Sequence, residues 1–345
     1  MPSTPTTTMI AANLNDLSSK INDEAFDRHP LLDILMANGR KEPADPALAL
    51  VEHLGTGHNS TIANRDYKTT IPLGEQDPME DVQWEMRHIN GSIVWFIWQE
   101  QVNRGKHQIF NFTTELKANA VESFADALGA AIWQDGTGEN LHGLPAIISA
   151  TNTYMTKLRT TAGNEYWRAK TGAAFTVTRG NVVRTFGPFS TAGVLSIIGG
   201  VDGGIQGFRR ALCRNGGFDS PDVGLTTEAL YARIESLIEP TRIRQDPKVV
   251  ELGWDEHFMC QGMRIFWDCN ASLDGTGTDN PFIGLNTKYL KIRPATHNAD
   301  KPTMDGPYDR MVEGQRAVAM IMNWDGNLTC VRPSSCGALT AKTAS

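Results

Sequence analysis

The order of apolar and polar residues predicts a mixture of helices and strands, with one unusually long helix. Between residues 106 and 134, apolar side chains recur at spacings of three, four and five and form one stripe on a helix. At helical rise this segment would span roughly 40 Å, which is well beyond an average helix. The helix is expected to stop at the turn that begins with Asp135 and Gly136, and a helical pattern resumes at Gly143 and Leu144.

The first 40 residues predict an amphipathic arm. Leu17, Ile21 and Phe26 lie on one face of a short helix, and a second helix that begins at Pro30 is expected to end at Gly39. Short helices owe most of their stability to an apolar face that is covered by other parts of the protein. The arm therefore needs a surface that covers its apolar stripe.

Residues 41 to 82 predict a long hairpin with little core of its own. A strand over residues 47–54 leads to a turn-rich tip, and a polar extended stretch returns through Tyr67, Lys68 and Ile71. A two-stranded hairpin is only marginally stable in isolation. We therefore expect this hairpin to rest on another surface.

The remaining segments favour an α+β chain, in which strands and helices are segregated rather than alternating. Residues 82–88 alternate as a strand with one buried face, and a turn at Asn90–Gly91 is expected to precede a fully buried strand over residues 93–98. Near the end of the chain, a final hairpin is expected around Asp325 and Gly326.

Composition and charge narrow the classes of function. The chain has 345 residues and a net charge of −7, which argues against a surface that binds nucleic acid through clustered Lys and Arg. The longest apolar run is far too short to cross a bilayer, so no membrane association is expected. The 5 cysteines show no close pairing motif, which favours free thiols in a reducing compartment.

The candidate catalytic and metal-binding patterns are better explained as structure. Asp135 and Asp274 each open an Asp-Gly-Thr-Gly sequence, but a two-aspartate protease needs Asp directly before Thr or Ser and Gly, so both are expected to be turns. The histidines lack metal-ligand spacing, and His53 and His58 lie in a loop without a third ligand. The sequence has no nucleophile elbow and no phosphate-binding loop. We therefore expect no enzyme activity, no cofactor and no metal.

Two further clusters have a binding interpretation and a plainer one. Tyr166, Trp167 and Arg168 form an aromatic-basic group that could stack on a base, although such groups occur more often at an interface or a core edge, which we favour. Residues 288–293 form a modest basic stripe on an extended segment, for which the plainer interpretation is a solvated strand face.

Four segments, in chain order, resemble the major capsid proteins of tailed bacteriophages. The helix that runs into QDGTGENLHGL at 134–144 is similar to the end of the spine helix in that family, and EYWR at 165–168 fits one branch of it. FIGLNTKYLK at 282–291 and NWDGNLTC at 323–330 resemble the C-terminal region of the same branch. The order of parts agrees with the family over nearly the whole chain.

The resemblance implies the tailed-phage major capsid fold and a structural subunit. Copies would gather as hexamers and pentamers into an icosahedral head that encloses double-stranded DNA. The extended loop would lie over a neighbouring subunit, and the axial domain would meet its copies at the capsomer centre. The implied parts are an N-terminal arm (1–40), an extended β-hairpin loop (41–82), a peripheral domain (83–190) with a long spine helix (106–134), an axial domain (191–310) and returning strands of the peripheral domain (311–345).

The resemblance also implies partners and a location. A separate scaffolding protein and a portal protein are expected, decoration proteins are a further option, and packaged DNA would lie nearby without sequence-specific binding. The subunit would be assembled in the cytoplasm of the host bacterium and would reside in the virion. Some relatives form Lys–Asn cross-links between subunits, and Lys68 lies in the corresponding loop, but nothing in the sequence marks it as reactive.

The residues expected at contacts between subunits come from the arm, the loop and the aromatic cluster: Phe26, Leu31, Tyr67, Lys68, Ile71, Tyr166 and Trp167. Two other functions stay open from the sequence. A cellular nanocompartment shell would share the fold but package protein cargo. A soluble hydrolase with an unrecognised site would be monomeric and would turn over a generic substrate.

Overall fold

The structure is a computed structural model, and the residues that it describes fall into several ranges. These are 29–45, 50–55, 64, 66, 68, 70, 79–102, 112–161, 164–172, 175–179, 182–186, 204–213, 219–237, 258–260, 262–273, 281–298, 303–309 and 316–339. Within them the helices are α1 (Pro30–Ala37), α2 (Ile97–Val102), α3 (Phe112–Ala131), α4 (Leu144–Ile147), α5 (Gly204–Leu212) and α6 (Glu228–Leu237).

The strands are β1 (Leu50–Gly55), β2 (Met79–Trp84), β3 (Arg87–Phe96), β4 (Thr153–Tyr154), β5 (Lys157–Leu158), β6 (Lys170–Gly172), β7 (Phe175–Arg179), β8 (Val182–Phe186), β9 (Val223–Thr226), β10 (Phe258–Cys260), β11 (Met263–Trp267), β12 (Phe282–Leu285), β13 (Leu290–Pro294), β14 (Thr303–Asp309), β15 (Ala317–Cys330) and β16 (Gly337–Leu339). Single turns of 3-10 helix lie at Glu165–Trp167, Thr296–Asn298 and Pro333–Ser335. The chain is a mixed α+β protein, as the sequence predicts.

The longest strand, β15, is the centre of a four-stranded antiparallel sheet. One edge of β15 pairs with β3, and the other edge pairs with β13 and then β14. The turns expected at Asn90–Gly91 and Asp325–Gly326 are wrong, because both dipeptides lie inside the ladder between β3 and β15. Buried and exposed side chains keep alternating through β3, so pairing along the whole strand outweighs the local turn preference.

The helix α3 covers one face of this sheet and forms the main core with it. The strand expected over residues 93–98 is not fully buried: Ile93 and Trp95 are buried, while Val94 and Phe96 are exposed, and α2 begins at Ile97. The large apolar residues that meet in this core are Ile93, Trp95, Val121, Phe124, Leu128, Met320, Met322 and Trp324.

The described part of the long helix, expected over 106–134, ends at Ala131, three residues before the expected end. Its 20 residues correspond to about 30 Å at helical rise. After Ala131 the backbone turns, and the amides of Trp133 and Gln134 donate to carbonyls three residues earlier. Residues 103–111 lie outside the described part of the chain, so the expected start at 106 is not tested.

The second arm helix is confirmed as α1, which begins at Pro30 and is followed by Gly39 in the left-handed conformation, with φ of 63°. Its apolar residues, Leu31 among them, are buried in the core of the subunit. His29 lies against α3 so closely that a Cβ added at Gly129 would be 1.8 Å from the His29 Nε2. The first arm helix, with Leu17, Ile21 and Phe26, lies outside the described residues.

A second, six-stranded sheet has the order β10-β11-β9-β12-β16-β6, with parallel pairs at β11–β9 and β16–β6. Helices α5 and α6 supply Phe208 and Ile234 to a smaller core on this sheet, together with Ile265 and Phe282. The close packing of α5 leaves room only for glycine at Gly284, where a Cβ would be 2.8 Å from the Phe208 ring.

The two sheets do not follow the expected division of the chain at residues 190 and 310. Strands β6 and β16, assigned to the peripheral domain, pair inside the six-stranded sheet. Strands β13 and β14, assigned to the axial domain, pair inside the four-stranded sheet. Each sheet therefore combines strands from two of the expected parts, because the chain crosses between the sheets more than once.

Within the described residues, no helix is long and apolar enough to cross a membrane. All five cysteines are free thiols in the structure. Cys213, Cys330 and Cys336 are buried, and Cys269 is exposed.

Candidate assembly surface

The hairpin predicted over residues 41–82 begins at an antiparallel pair formed by β1 and β2, from Leu50 opposite Trp84 to Gly55 opposite Met79. Most of the segment between these strands lies outside the described residues, including the predicted contact residues Tyr67 and Ile71. Lys68 is described, and it is an exposed turn residue. The observed geometry is therefore that of the hairpin's base.

The strand β1 is attached to the four-stranded sheet by a network of ion pairs. Glu52 Oε1 accepts a hydrogen bond of 2.8 Å from Arg293 on β13. Glu42 lies 2.8 Å from both Arg293 and Lys291. The hydrogen bond from Lys291, and to a smaller extent the charge of Arg293, lower the pKa of Glu42 below its usual value. The basic stripe predicted at 288–293 is therefore partly neutralised by its own chain, and its strand face is not simply solvated.

The strand β2 is attached to the body of the subunit through Glu80. Its carboxylate pairs with Lys157 on β5 and accepts a hydrogen bond from the Tyr166 hydroxyl. The pKa of Glu80 is lowered mainly by the Lys157 hydrogen bond and then by that of Tyr166. Burial, and next the hydrogen bond to Glu80, raise the pKa of Tyr166 well above its usual value. Each strand of the hairpin base thus has its own charged anchor on the body of the subunit.

The aromatic-basic cluster separates into one surface residue and one core residue. Tyr166 is half-buried and reaches the hairpin through Glu80. Trp167 is 0% exposed; its ring packs on Tyr154, and its Nε1 donates to the Tyr154 carbonyl. Arg168 donates to the carbonyls of Arg159, Thr160 and Thr161, so its guanidinium is already occupied.

The predicted contact residues therefore fall into three groups. Leu31 and Trp167 are buried in the subunit's own core, which leaves them almost no surface to offer a neighbour. Tyr166 and Lys68 have exposed surface. Phe26, Tyr67 and Ile71 lie outside the described residues.

The turn after α3 is held by its own polar side chains. Asp135 Oδ1 accepts hydrogen bonds from the Thr137 amide at 3.0 Å and its hydroxyl at 2.7 Å, which lower the pKa of Asp135. Gln134 Oε1 accepts from the Leu141 amide. The interpretation of Asp135 as a turn residue is confirmed, whereas Asp274 lies outside the described residues.

Asn327 on β15 ties this turn to the sheet. Its side chain is fully buried, with Oδ1 accepting from the His142 amide at 3.0 Å and Nδ2 donating to the Glu85 carbonyl at 2.8 Å. Burial, and secondarily the charge of Arg87, lower the pKa of His142. The two motifs around 134–144 and 323–330 that carry the family resemblance thus meet in space at Asn327.

Three histidines of the described chain lie beside carboxylates. His53 Nδ1 is 2.5 Å from Asp81, and Asp325 lies between His88 at 2.5 Å and His297 at 2.8 Å. No group of three or more His, Cys, Asp or Glu side chains among the described residues has the geometry to hold a metal ion. His58, the other half of the predicted His53 pair, lies outside them.

Sequence reasoning missed Glu42, Glu52, Glu80 and Lys157 as the residues that anchor the hairpin. No local motif marks them, because each carboxylate finds its partner far along the chain, as Glu52 does at Arg293.

No protein-family model and no curated protein matches this chain. Solved structures do match it over nearly its whole length. The capsid protein of cyanophage A-1(L) has 14% sequence identity and a TM-score of 0.56, and the match covers 88% of this chain and 91% of that one. The capsid of a native GTA particle has 8% identity and a TM-score of 0.54, with 88% of each chain covered. The capsid of Myoviridae phage XM1 has 10% identity and a TM-score of 0.50, covering 89% and 92%.

The fold therefore defines a class of protein: the chain has the fold of shell-forming capsid proteins. Within that class it has the tailed-phage major capsid fold, as the resemblance of its sequence motifs implied. The sequence identities are low, so the comparison establishes the fold. The three structures named here are capsids.

Proposed function

We propose that this chain is the structural subunit of the icosahedral head of a tailed bacteriophage and that the head encloses double-stranded DNA. The observation that carries the proposal is the match to capsid chains over 88% of this chain and 91% of the cyanophage chain, because so large a share of both chains follows one fold. The net charge of −7 also suits an inner surface that holds DNA by enclosure rather than by affinity.

Copies of the chain would gather as hexamers and pentamers, and the hairpin would reach a neighbouring copy. The anchors at Glu52 and Glu80 support this role, because they hold the base of the hairpin. The predicted contact residues Tyr67, Lys68 and Ile71, in the extended stretch that returns from the tip, would then contact another subunit. Each subunit touches several neighbours in a closed shell, so moderate contacts add to a stable particle. A scaffolding protein and a portal protein would direct assembly in the host cytoplasm.

The experiment is a hairpin deletion in the full chain. Residues 56–78 are replaced by Asn-Gly, which suits a two-residue turn between paired strands. We expect the variant to keep its fold by circular dichroism but to sediment as small species, while wild type and the matched loop variant Asn64→Ala form closed particles by negative-stain microscopy. Normal particles from the deletion variant would show that the loop assignment is wrong.

The content of wild-type particles separates the proposed function from its rivals. Nuclease-protected DNA in particles purified from an infected or induced host supports a phage head. Particles that hold a defined protein cargo and no DNA would favour a cellular nanocompartment. A stable monomer that turns over a generic ester or peptide substrate would favour a hydrolase and contradict the proposal.

A further inference from the structure

The face of the four-stranded sheet opposite α3 carries an exposed apolar patch. Its residues are Val94 and Phe96 on β3, Ile321 on β15 and Tyr308 on β14, with exposed fractions of 41%, 45%, 38% and 50%. Trp98, which is 59% exposed, follows at the start of α2. We call these five residues the outer sheet patch. Among the exposed large apolar residues of the described chain, only Val51 and Leu158 lie elsewhere.

The strand register places the patch residues of the sheet on one face. Val94 and Tyr308 both stand opposite Ala319, one on each side of β15. Directly opposed residues of antiparallel strands project to the same face. The next rows along that face are Phe96 opposite Ala317 and Ser92 opposite Ile321. The side chains of Ile93 and Trp95 project to the other face, into the core.

The size of the patch is that of an interface core. An aromatic side chain has about 150–250 Å² to bury, so Phe96, Trp98 and Tyr308 at roughly half exposure leave about 300 Å² open. Val94 and Ile321 extend this area into the range of about 300–600 Å² in which the largest patch of a monomer is often functional. A standard interface buries about 800 Å² per partner, so the patch would supply its apolar centre.

The charge of the patch decides between kinds of partner. Among the described residues, the rows that contain Val94, Ala319, Tyr308, Phe96 and Ala317 carry no charged side chain. Nucleic acid would need Lys or Arg there. Charged residues stand at the margin instead: Asp305 lies opposite Ile321, and Arg316 precedes Ala317. An apolar centre with a charged rim is the composition of contacts between copies of one chain.

We propose that the outer sheet patch is a contact surface for a second copy of this chain. The inference rests on the proposed function, since a shell subunit has copies of itself as its permanent neighbours. Burial of the patch would then contribute apolar free energy to assembly at roughly 25 cal/mol per Å². In the unassembled subunit the same residues would be open to solvent and would favour association.

The first test measures protection of the patch in the particle. Val94→Cys is made in a Cys260→Ser, Cys269→Ser background, which removes the cysteines that are not buried. The labelling rate of the cysteine at position 94 by maleimide is compared between particles and the unassembled hairpin-deletion subunit that carries the same changes. We expect labelling to be at least about ten-fold slower in particles, because an interface core excludes water. Equal labelling in both states would overturn the proposal and would leave the surface to another partner.

The second test measures assembly directly. Phe96→Ser is compared with Leu158→Ser, a matched variant because Leu158 is 47% exposed and lies outside the patch. We expect Phe96→Ser to raise the protein concentration needed for particles at least about ten-fold, which corresponds to about 1.4 kcal/mol, and Leu158→Ser to change it little. Equal effects of the two variants, or none, would contradict the proposal. If an infected or induced host yields no particles of the wild-type chain, both the proposed function and this inference fail; if wild type assembles and position 94 stays reactive, only this inference fails.

Discussion

Two glycines in the turn after α3 are required for different reasons. Gly138 has a φ of 60° and open space around it, so glycine is required there by the backbone conformation and not by lack of space. Gly143 precedes α4 with a φ of −76°, which any residue adopts, but an added Cβ would lie 2.2 Å from the Ile132 carbonyl oxygen. Glycine is required at 143 because a side chain would not fit. The Ile132 carbonyl is held in this position by a hydrogen bond of 2.7 Å from the Leu144 amide.

Alanine substitutions at these two positions should therefore differ in cost. Gly143→Ala collides with backbone atoms that cannot move without breaking the turn, and we expect a loss of at least about 2–3 kcal/mol in the free energy of unfolding. Gly138→Ala should cost only about 1–2 kcal/mol, the price of a left-handed alanine. Urea unfolding of the unassembled subunit measures both. A larger loss for Gly138→Ala than for Gly143→Ala would show that the turn is held differently.

At the residue scale, the sequence predicts roles that depend on near neighbours and misses those that depend on distant ones. Asp135 was predictable as a turn residue because its partner, Thr137, is two positions away. Trp167 was expected at a contact between subunits, but it is buried on Tyr154, and nothing beside it in the sequence identifies that ring. Asn327 belongs to a motif that the sequence shows, but only the structure shows that its side chain accepts a hydrogen bond from the His142 amide.

At the scale of elements, the hairpin base combines a small apolar contact with charged anchors. Val82 and Trp84 on β2 and Leu54 on β1 are buried in the main core. The carboxylates of Glu52 and Glu80 reach two different elements of the subunit, β13 and β5. Two separate anchors restrict the direction in which the hairpin leaves the subunit more than either anchor alone would.

Replacing Glu80 with Gln tests this anchoring. Glu80 is 45% exposed, so we expect a change below about 1 kcal/mol in global stability, but faster amide hydrogen exchange in β1 and β2. The pKa of Glu80 is lowered from 4.5 in the folded chain, so its contribution is present above that pH and is lost as the pH falls through the lowered value.

The same exchange measurement on wild type at falling pH should therefore approach the Glu80→Gln result, while the variant itself should show less pH dependence. Glu139→Gln serves as the matched control, since Glu139 is an exposed glutamate in the turn after α3. Unchanged exchange in β1 and β2 for Glu80→Gln would mean that the Arg293 network alone holds the hairpin.

Element existence was more predictable than element boundaries. The start of α1 at Pro30, the resumption of helix at Leu144 and the strand pair of the hairpin follow local patterns and are found. The dipeptides Asn90–Gly91 and Asp325–Gly326 have strong turn preferences, yet they sit in paired strands. A Cβ at Gly326 would lie 2.6 Å from the Trp324 ring, so that glycine is required by packing and not by a turn.

At the scale of the whole molecule, the chain passes repeatedly between its two sheets. β12 and β13 are neighbours in sequence but belong to different sheets, as do β15 and β16. A division read from chain order alone cannot show this, because strand pairing is set by contacts between distant segments. The two sheets are therefore linked through several short connections, among them the segment at Pro333–Ser335.

The last prediction concerns salt, because screening weakens the repulsion between whole molecules but does not weaken the proposed apolar contact. Copies with a net charge of −7 repel one another, and raising salt from about 0.1 M to about 1 M shortens the range of that repulsion from about 10 Å to about 3 Å. Contacts through the outer sheet patch are apolar and are not weakened by screening. We expect the concentration at which particles appear in sedimentation to fall as NaCl rises, and the hairpin-deletion variant to stay unassembled throughout. A threshold that rises with salt would mean that ion pairs between copies, rather than apolar surface, hold the shell together.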